Sequence, residues 1–225
     1  MVDLLWTGPA LPQPDALEVA SPTLVLAHGA GAGMESKWMN DFCALLGDRG
    51  LRTVRFEFGY MAARRTGGRR PPPRADTLID EYVAAVGAVR MQLNVGGYSG
   101  SKVVIGGKSM GGRVATMSVD SFGPLDRVDG VVCLGYPFHP PDKPHLPRTA
   151  HLLTSTLPML ICQGTRDPFG GPDEVIGYEL PASINVTWFD DGDHDLRPRQ
   201  AVSGHSYAEH LNTAADAVVD FVNRA

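Results

Sequence analysis

The chain has 225 residues, 43% of them hydrophobic and 20% charged, with a formal charge of -5 at pH 7. These proportions suit one sizeable globular core, and without a basic excess there is no reason to expect nucleic acid or a membrane surface as partner. Three widely spaced cysteines, Cys43, Cys133 and Cys162, form no C-x-x-C pair, so buried free thiols in a reducing, cytoplasmic setting are expected. The opening MVDLLWTGPALPQPD puts Asp3 where a secretory signal would carry Lys or Arg. No segment approaches the roughly 18 apolar residues of a membrane span.

Short apolar runs alternate with helical patterns almost from end to end. Weak edge strands are predicted at 4–6 and 17–19. TLVLA at 23–27 reads as a buried strand running into the glycine-rich HGAGAG. A helix follows at 38–48, with Trp38, Phe42, Leu45 and Leu46 at helical spacing, then a strand at 52–58. A long helix is predicted at 77–93, with Leu78, Tyr82, Val86 and Val89 on one face. The strand 103–105 leads at once into GGKSMGG and a helix through Met117. Three more strands, 130–134, 159–162 and 184–189, precede a closing helix at 206–224.

Strands that read as continuous apolar runs are covered on both faces, and strand–helix alternation calls for right-handed crossovers. The expected fold is therefore α/β: one domain spanning 1–225, a doubly wound, mostly parallel sheet of at least six strands with helices on both faces. Two stretches break the pattern, 66–74 (TGGRRPPPR) and 136–148 (YPFHPPDKPHLPR). Both follow strands, so both should lie at the sheet edge where open α/β folds bind ligands.

Gly107-Lys108-Ser109-Met110-Gly111 fits G-x-S-x-G between a strand and a helix, the context that gives the pattern meaning. A sharp turn there exposes the serine hydroxyl, and the flanking glycines let neighbouring backbone approach. A nucleotide loop of the form G-x-x-x-x-G-K-[ST] is excluded, because its first glycine would fall on Lys102. A dinucleotide fingerprint counted from Gly29 is excluded as well, since Met34 stands where its third glycine must be. In this place a His-Gly turn lends a backbone N–H to an oxyanion, so the Ala30 and Met110 N–H groups are the predicted donors.

A serine nucleophile needs a base, and the base needs an orienting carboxylate. Asp167 follows the strand at 159–162 and His194 follows the strand at 184–189, giving the order Ser, Asp, His. Asp193 and Asp195 flank His194, but sequence neighbours rarely reach the right ring nitrogen. His28 belongs to the oxyanion turn, and His205 and His210 to the last helix. His139, His145 and His151 lack tight ligand spacing, so no metal or other cofactor is expected.

The ordered motifs HGAGAGM, GGKSMGGRVA, GYPFHPP, QGTRDPFG and GDHDL resemble the α/β-hydrolase superfamily, in its dienelactone-hydrolase-like group. Within it they look like bacterial hydrolases similar to testis-expressed protein 30. The resemblance covers roughly residues 20–225 and implies Ser109, Asp167 and His194 as nucleophile, acid and base. Dienelactone hydrolases carry cysteine as nucleophile, so Ser109 argues against dienelactone as substrate.

About 20 residues separate GVVCLG, at 130–135, from the strand expected to begin near Pro158, too few for a large cap. Gly31, Lys108, Tyr136 and Phe138 are the candidate substrate contacts. Arg64, Arg65, Arg69, Arg70 and Arg74 either attract an anion or form a solvated loop. The expected activity is hydrolysis of an ester or thioester of a small acyl substrate, by a monomer or homodimer. The alternatives are a short-peptide serine peptidase, or a non-catalytic binding or scaffold protein on a hydrolase fold.

Overall fold

The computed structural model describes residues 2–10, 21–65, 67–68, 70–98, 100–124 and 126–225. Seven strands form one sheet: β1 (Leu4–Thr7), β2 (Thr23–Ala27), β3 (Arg52–Phe56), β4 (Val103–Lys108), β5 (Gly130–Leu134), β6 (Met159–Gly164) and β7 (Ile184–Phe189). Their order is β1-β3-β2-β4-β5-β6-β7, with only β1 antiparallel. The expected six parallel strands and the edge strand at 4–6 are thus present. The strand expected at 17–19 lies outside the described residues.

The helices are α1 (Lys37–Asp48), α2 (Gly59–Arg65), α3 (Ile79–Val95), α4 (Met110–Ser118), α5 (Pro172–Val175), α6 (Gln200–Ser203) and α7 (Tyr207–Arg224). Alternation along the buried strands divides the core between the two faces. Val25, Val54, Ile105 and Val131 meet Tyr82, Val86 and Val89 of α3 and Val114 of α4. Leu24, Leu26, Val104 and Val132 meet Phe42 and Leu46 of α1 and Ala215, Val218 and Val222 of α7. All three cysteines are free and buried in these layers. No helix among the described residues is long and apolar enough to cross a membrane.

Several boundaries moved for local reasons. β3 stops at Phe56 because the Phe58 N–H turns out of the ladder to donate to His28 Nε2 at 3.2 Å. β4 runs on through Gly106-Gly107, a pair that reads as a turn in the sequence. Close packing requires glycine there: a Cβ at Gly106 would come within 2.1 Å of the Val132 carbonyl oxygen. The last helix starts one residue later than expected because Ser206 caps it, its Oγ accepting from the Glu209 N–H while Glu209 accepts from the Ser206 N–H. The short helix α2 was not expected. Arg65 holds its end to Glu57 at 2.8 Å and Glu35 at 2.9 Å.

The direction of strand addition reverses between the parallel strands β2 and β4: β3 is added on one side of β2 and β4 on the other. The loop after β2 and the turn after β4 therefore open side by side at the carboxyl edge, with the loops after β6 and β7 along the same rim. Open α/β sheets bind ligands at such a switch point.

Candidate active site

Ser109 joins β4 to α4 with φ 53 and ψ -118, a left-handed backbone that a residue with a Cβ seldom adopts. Its neighbours hold it there. The Ser109 N–H donates to the Leu134 carbonyl at 2.9 Å, and its own carbonyl accepts from Arg113 N–H at 3.1 Å, the first turn of α4. A Cβ on Gly107 would lie 2.6 Å from the Ala27 carbonyl oxygen, and one on Gly111 2.5 Å from the same atom. The glycines of G-x-S-x-G thus let the turn press against the end of β2.

His194 Nε2 lies 2.7 Å from Ser109 Oγ, and His194 Nδ1 lies 2.8 Å from Asp167 Oδ2. Three loops distant in the chain meet in this contiguous set. The Asp167 carboxylate is fully buried, and burial of a charge demands donors. Besides His194 it receives the Phe169 N–H on Oδ1 and Gln163 Nε2 on Oδ2, both at 2.9 Å. Gln163 is itself immobilised, because its Oε1 accepts from the Tyr136 N–H at 2.7 Å. Gln163 opens the QGTRDPFG motif, but its sequence context assigned it no role. Asp193 and Asp195, the competing acids, are engaged elsewhere: Asp193 caps the Asp195 and Arg197 N–H groups, and Asp195 pairs with Lys108 at 3.1 Å.

The loop after β2 is fixed by His28. Its Nδ1–H donates to the Gly29 carbonyl at 2.7 Å and its Nε2 accepts from Phe58 N–H. Burial pushes its pKa below the ordinary imidazole value, which keeps the ring in this neutral tautomer. The Ala30 and Met110 N–H groups donate to no acceptor among the described residues. Both residues border a cavity of about 350 Å³ beside Ser109. A second cavity, of about 310 Å³, is bordered by Gly31, Trp38, Met39, Lys108, Ser109 and His194. Phe169 borders both and stacks obliquely on the His194 ring, with centroids 4.4 Å apart.

Lys108 is buried beside Ser109 and is committed to structure. Its Nζ donates to the His194 carbonyl at 2.7 Å and lies 5.5 Å from the centre of the Trp38 ring. Burial lowers its pKa while Asp195 raises it. It therefore ties the loop that carries His194 to the strand end that carries Ser109. Lys108→Met is expected to lower kcat roughly tenfold, since small misplacements of a base are costly. Steady-state rates on a p-nitrophenyl ester check this; an unchanged kcat would show that the loop holds its position without the ammonium.

Two expected substrate contacts are corrected. Tyr136 and Phe138 are completely buried, stacked edge to face with ring centroids 4.9 Å apart, and reach neither cavity. The left-handed Gly135 turns the chain inward after β5, so these rings enter the core. The basic stretch is also largely spent: Arg64 donates to the Arg70 carbonyl, Arg65 pairs with two glutamates, and only Arg74 borders the Ser109 cavity. Arg69 and Thr66 lie outside the described residues. Among the described residues no three His, Cys, Asp or Glu side chains converge as a metal cage.

A strained serine on the central strand of such a sheet, with a histidine and an aspartate from later strand ends, defines an α/β-hydrolase arrangement. The chain belongs to the alpha/beta hydrolase domain family, whose model matches residues 20–223. Similar solved structures include an alpha-beta serine hydrolase homologue from Coxiella burnetii, 17% identical, with 97% of this chain and 90% of that one covered and a TM-score of 0.64. Another is XC6422 from Xanthomonas campestris, described as an a/b serine hydrolase without lid, at 19% identity, 99% and 88% coverage and TM-score 0.62. Est1E from Butyrivibrio proteoclasticus is 12% identical, with 99% and 93% coverage and TM-score 0.67.

Proposed function

We propose that this protein is a serine hydrolase that cleaves esters or thioesters of small acyl groups through an acyl-enzyme on Ser109. The observation that carries this reading is the unbroken run of hydrogen bonds from Ser109 Oγ through His194 to the buried Asp167, 2.7 and 2.8 Å long.

In this scheme Asp167 accepts a hydrogen bond from Nδ1–H, which keeps that proton on the ring and leaves Nε2 free to take the Ser109 proton. Ser109 Oγ attacks the carbonyl carbon, and the oxygen that becomes negative is received by the Ala30 and Met110 N–H groups. The first-turn position of Met110 in α4 adds the positive end of a helix dipole. The protonated His194 then gives its Nε2 proton to the leaving oxygen or sulfur, and the C–O or C–S bond breaks. Water, deprotonated by His194, attacks the acyl-enzyme and restores Ser109 by the same steps in reverse. The leaving group must meet Nε2, so it occupies the cavity that His194 borders.

The test is labelling with a fluorophosphonate probe. Wild-type protein is expected to be labelled at Ser109 and to turn over p-nitrophenyl esters, and Ser109→Ala to do neither. Wild-type protein that resists the probe and leaves the esters intact would favour the binding or scaffold reading.

A further inference from the structure

The cavity of about 350 Å³ beside Ser109 is not bordered by His194, and its wall carries Arg74, Arg113 and Arg148. Arg113 lies in the first turn of α4, its N–H donating to the carbonyl of the N-cap Ser109 at 3.1 Å, and both residues border this cavity. Arg148 is set from the other side. Its N–H donates to the Phe138 carbonyl at 2.7 Å and its carbonyl accepts from Tyr136 OH at 2.9 Å. The buried Tyr136 and Phe138 thus shape this cavity from behind.

Arg74 is neutralised by two hydrogen bonds to Asp76, at 3.1 and 2.8 Å. Arg113 and Arg148 are not. Among the described residues neither side chain makes a hydrogen bond or ion pair, and Arg113 Nε is buried without a partner. The two guanidinium groups are close enough to repel, Arg113 depressing the pKa of Arg148 after burial has done so. His151, wedged against Thr116 and Tyr136, supplies no counter-charge. The cavity wall therefore presents three guanidinium groups against one carboxylate, Asp76. An uncompensated, partly buried pair of like charges is destabilising by itself and is satisfied by an anion that accepts from both forks.

We propose that this cavity is a carboxylate subsite for the acyl half of the substrate, so that the esters or thioesters cleaved here are those of dicarboxylic acids. The inference rests on the hydrolase reading in one respect. Because the leaving group lies with His194, the acyl chain falls to the arginine-lined side. Four residues, about 6 Å of axial rise, separate Ser109 from Arg113, so an acyl chain of a few carbons spans the gap.

The test compares mono-p-nitrophenyl adipate, which ends in a carboxylate, with p-nitrophenyl hexanoate, its neutral counterpart of equal length. Wild-type protein is expected to favour the adipate monoester at least about tenfold in kcat/KM, chiefly through KM. Arg113→Gln and Arg148→Gln are each expected to lower that selectivity about tenfold, the loss expected for one charge-assisted hydrogen bond. Equal kcat/KM for the two esters in wild type, or equal losses on both in the arginine variants, overturns the subsite. A preference that instead follows a carboxylate placed on the phenol, in 4-carboxyphenyl hexanoate, overturns its assignment to the acyl half. Binding is read separately in Ser109→Ala, where millimolar adipate is expected to raise Tm, and to do so less once Arg113→Gln is added. If neither ester turns over, the hydrolase reading fails and the adipate-dependent Tm shift alone decides the subsite.

Discussion

Asp167→Ala is expected to lower kcat about 10⁴-fold with little change in KM, because in the proposed mechanism the carboxylate acts through the histidine and not on the bound substrate. Two functions vanish together. Nothing then holds the proton on Nδ1, so the ring spends time with Nε2 protonated and useless as a base, and the imidazolium formed in the reaction loses its counter-charge. Folding should survive. Gln163 Nε2 keeps the Tyr136 and Gly170 carbonyls as acceptors, at 3.1 and 3.2 Å. The Phe169 N–H loses its partner, and a buried unmet donor costs about 1–3 kcal/mol. Urea unfolding separates that modest loss from the rate effect.

Asp167→Asn sharpens the same argument. Oδ2 receives two donors, from His194 and Gln163, while Oδ1 receives one, from Phe169. The asparagine amide nitrogen is therefore least opposed on the Phe169 side, which leaves its oxygen facing His194 and preserves the useful tautomer. Asn is expected to retain more activity than Ala, the difference measuring tautomer control apart from charge. An Asn variant as slow as the Ala variant would place the whole contribution in the charge.

The elements that could be read in the sequence were those announced by local chemistry. TLVLA ends in HGAGAG, VVIGG in KSMGG, MLIC in QGTRDP and INVTWF in DDGDHD, so each apolar run delivers a polar residue to one rim. A parallel sheet allows the polar ends no other place. The side chains that escaped notice are those whose role depends on distant partners. Gln163 reads as the first residue of the loop that carries Asp167, with no role of its own, until the structure brings the Tyr136 N–H against it. Lys108 is in the nucleophile motif, yet its partner is a carbonyl 86 residues away. Arg113 could have been found, because it falls in the first turn of the helix expected straight after Ser109; the arginine-rich stretch at 64–74 drew attention instead. Tyr136 and Phe138 misled for a related reason. A proline-rich loop suggests exposure, but a left-handed glycine before two aromatic residues turns them into the core.

Gly111→Ala tests the steric logic of the turn itself. A Cβ there would stand 2.5 Å from the Ala27 carbonyl oxygen and 2.6 Å from that of His28. Both are backbone atoms at the end of β2, which cannot swing aside as a flexible side chain would, so α4 or the following loop must shift. Either movement parts the two predicted oxyanion donors, because Met110 travels with α4 and Ala30 with the loop. A displacement near 1 Å costs about 10²-fold in rate, and forcing a methyl into closed packing costs about 1–3 kcal/mol. The variant should therefore lose about 10²-fold in kcat/KM and unfold at lower urea. Gly87→Ala is the control, since a Cβ built there meets nothing within 4 Å beyond its own stretch of helix, and the residue is inside α3. It should gain roughly 0.5–1 kcal/mol from helix propensity. If Gly111→Ala matched wild type in both rate and urea midpoint, the close approach of the turn to β2 would have no part in holding Ser109 and the oxyanion donors in register.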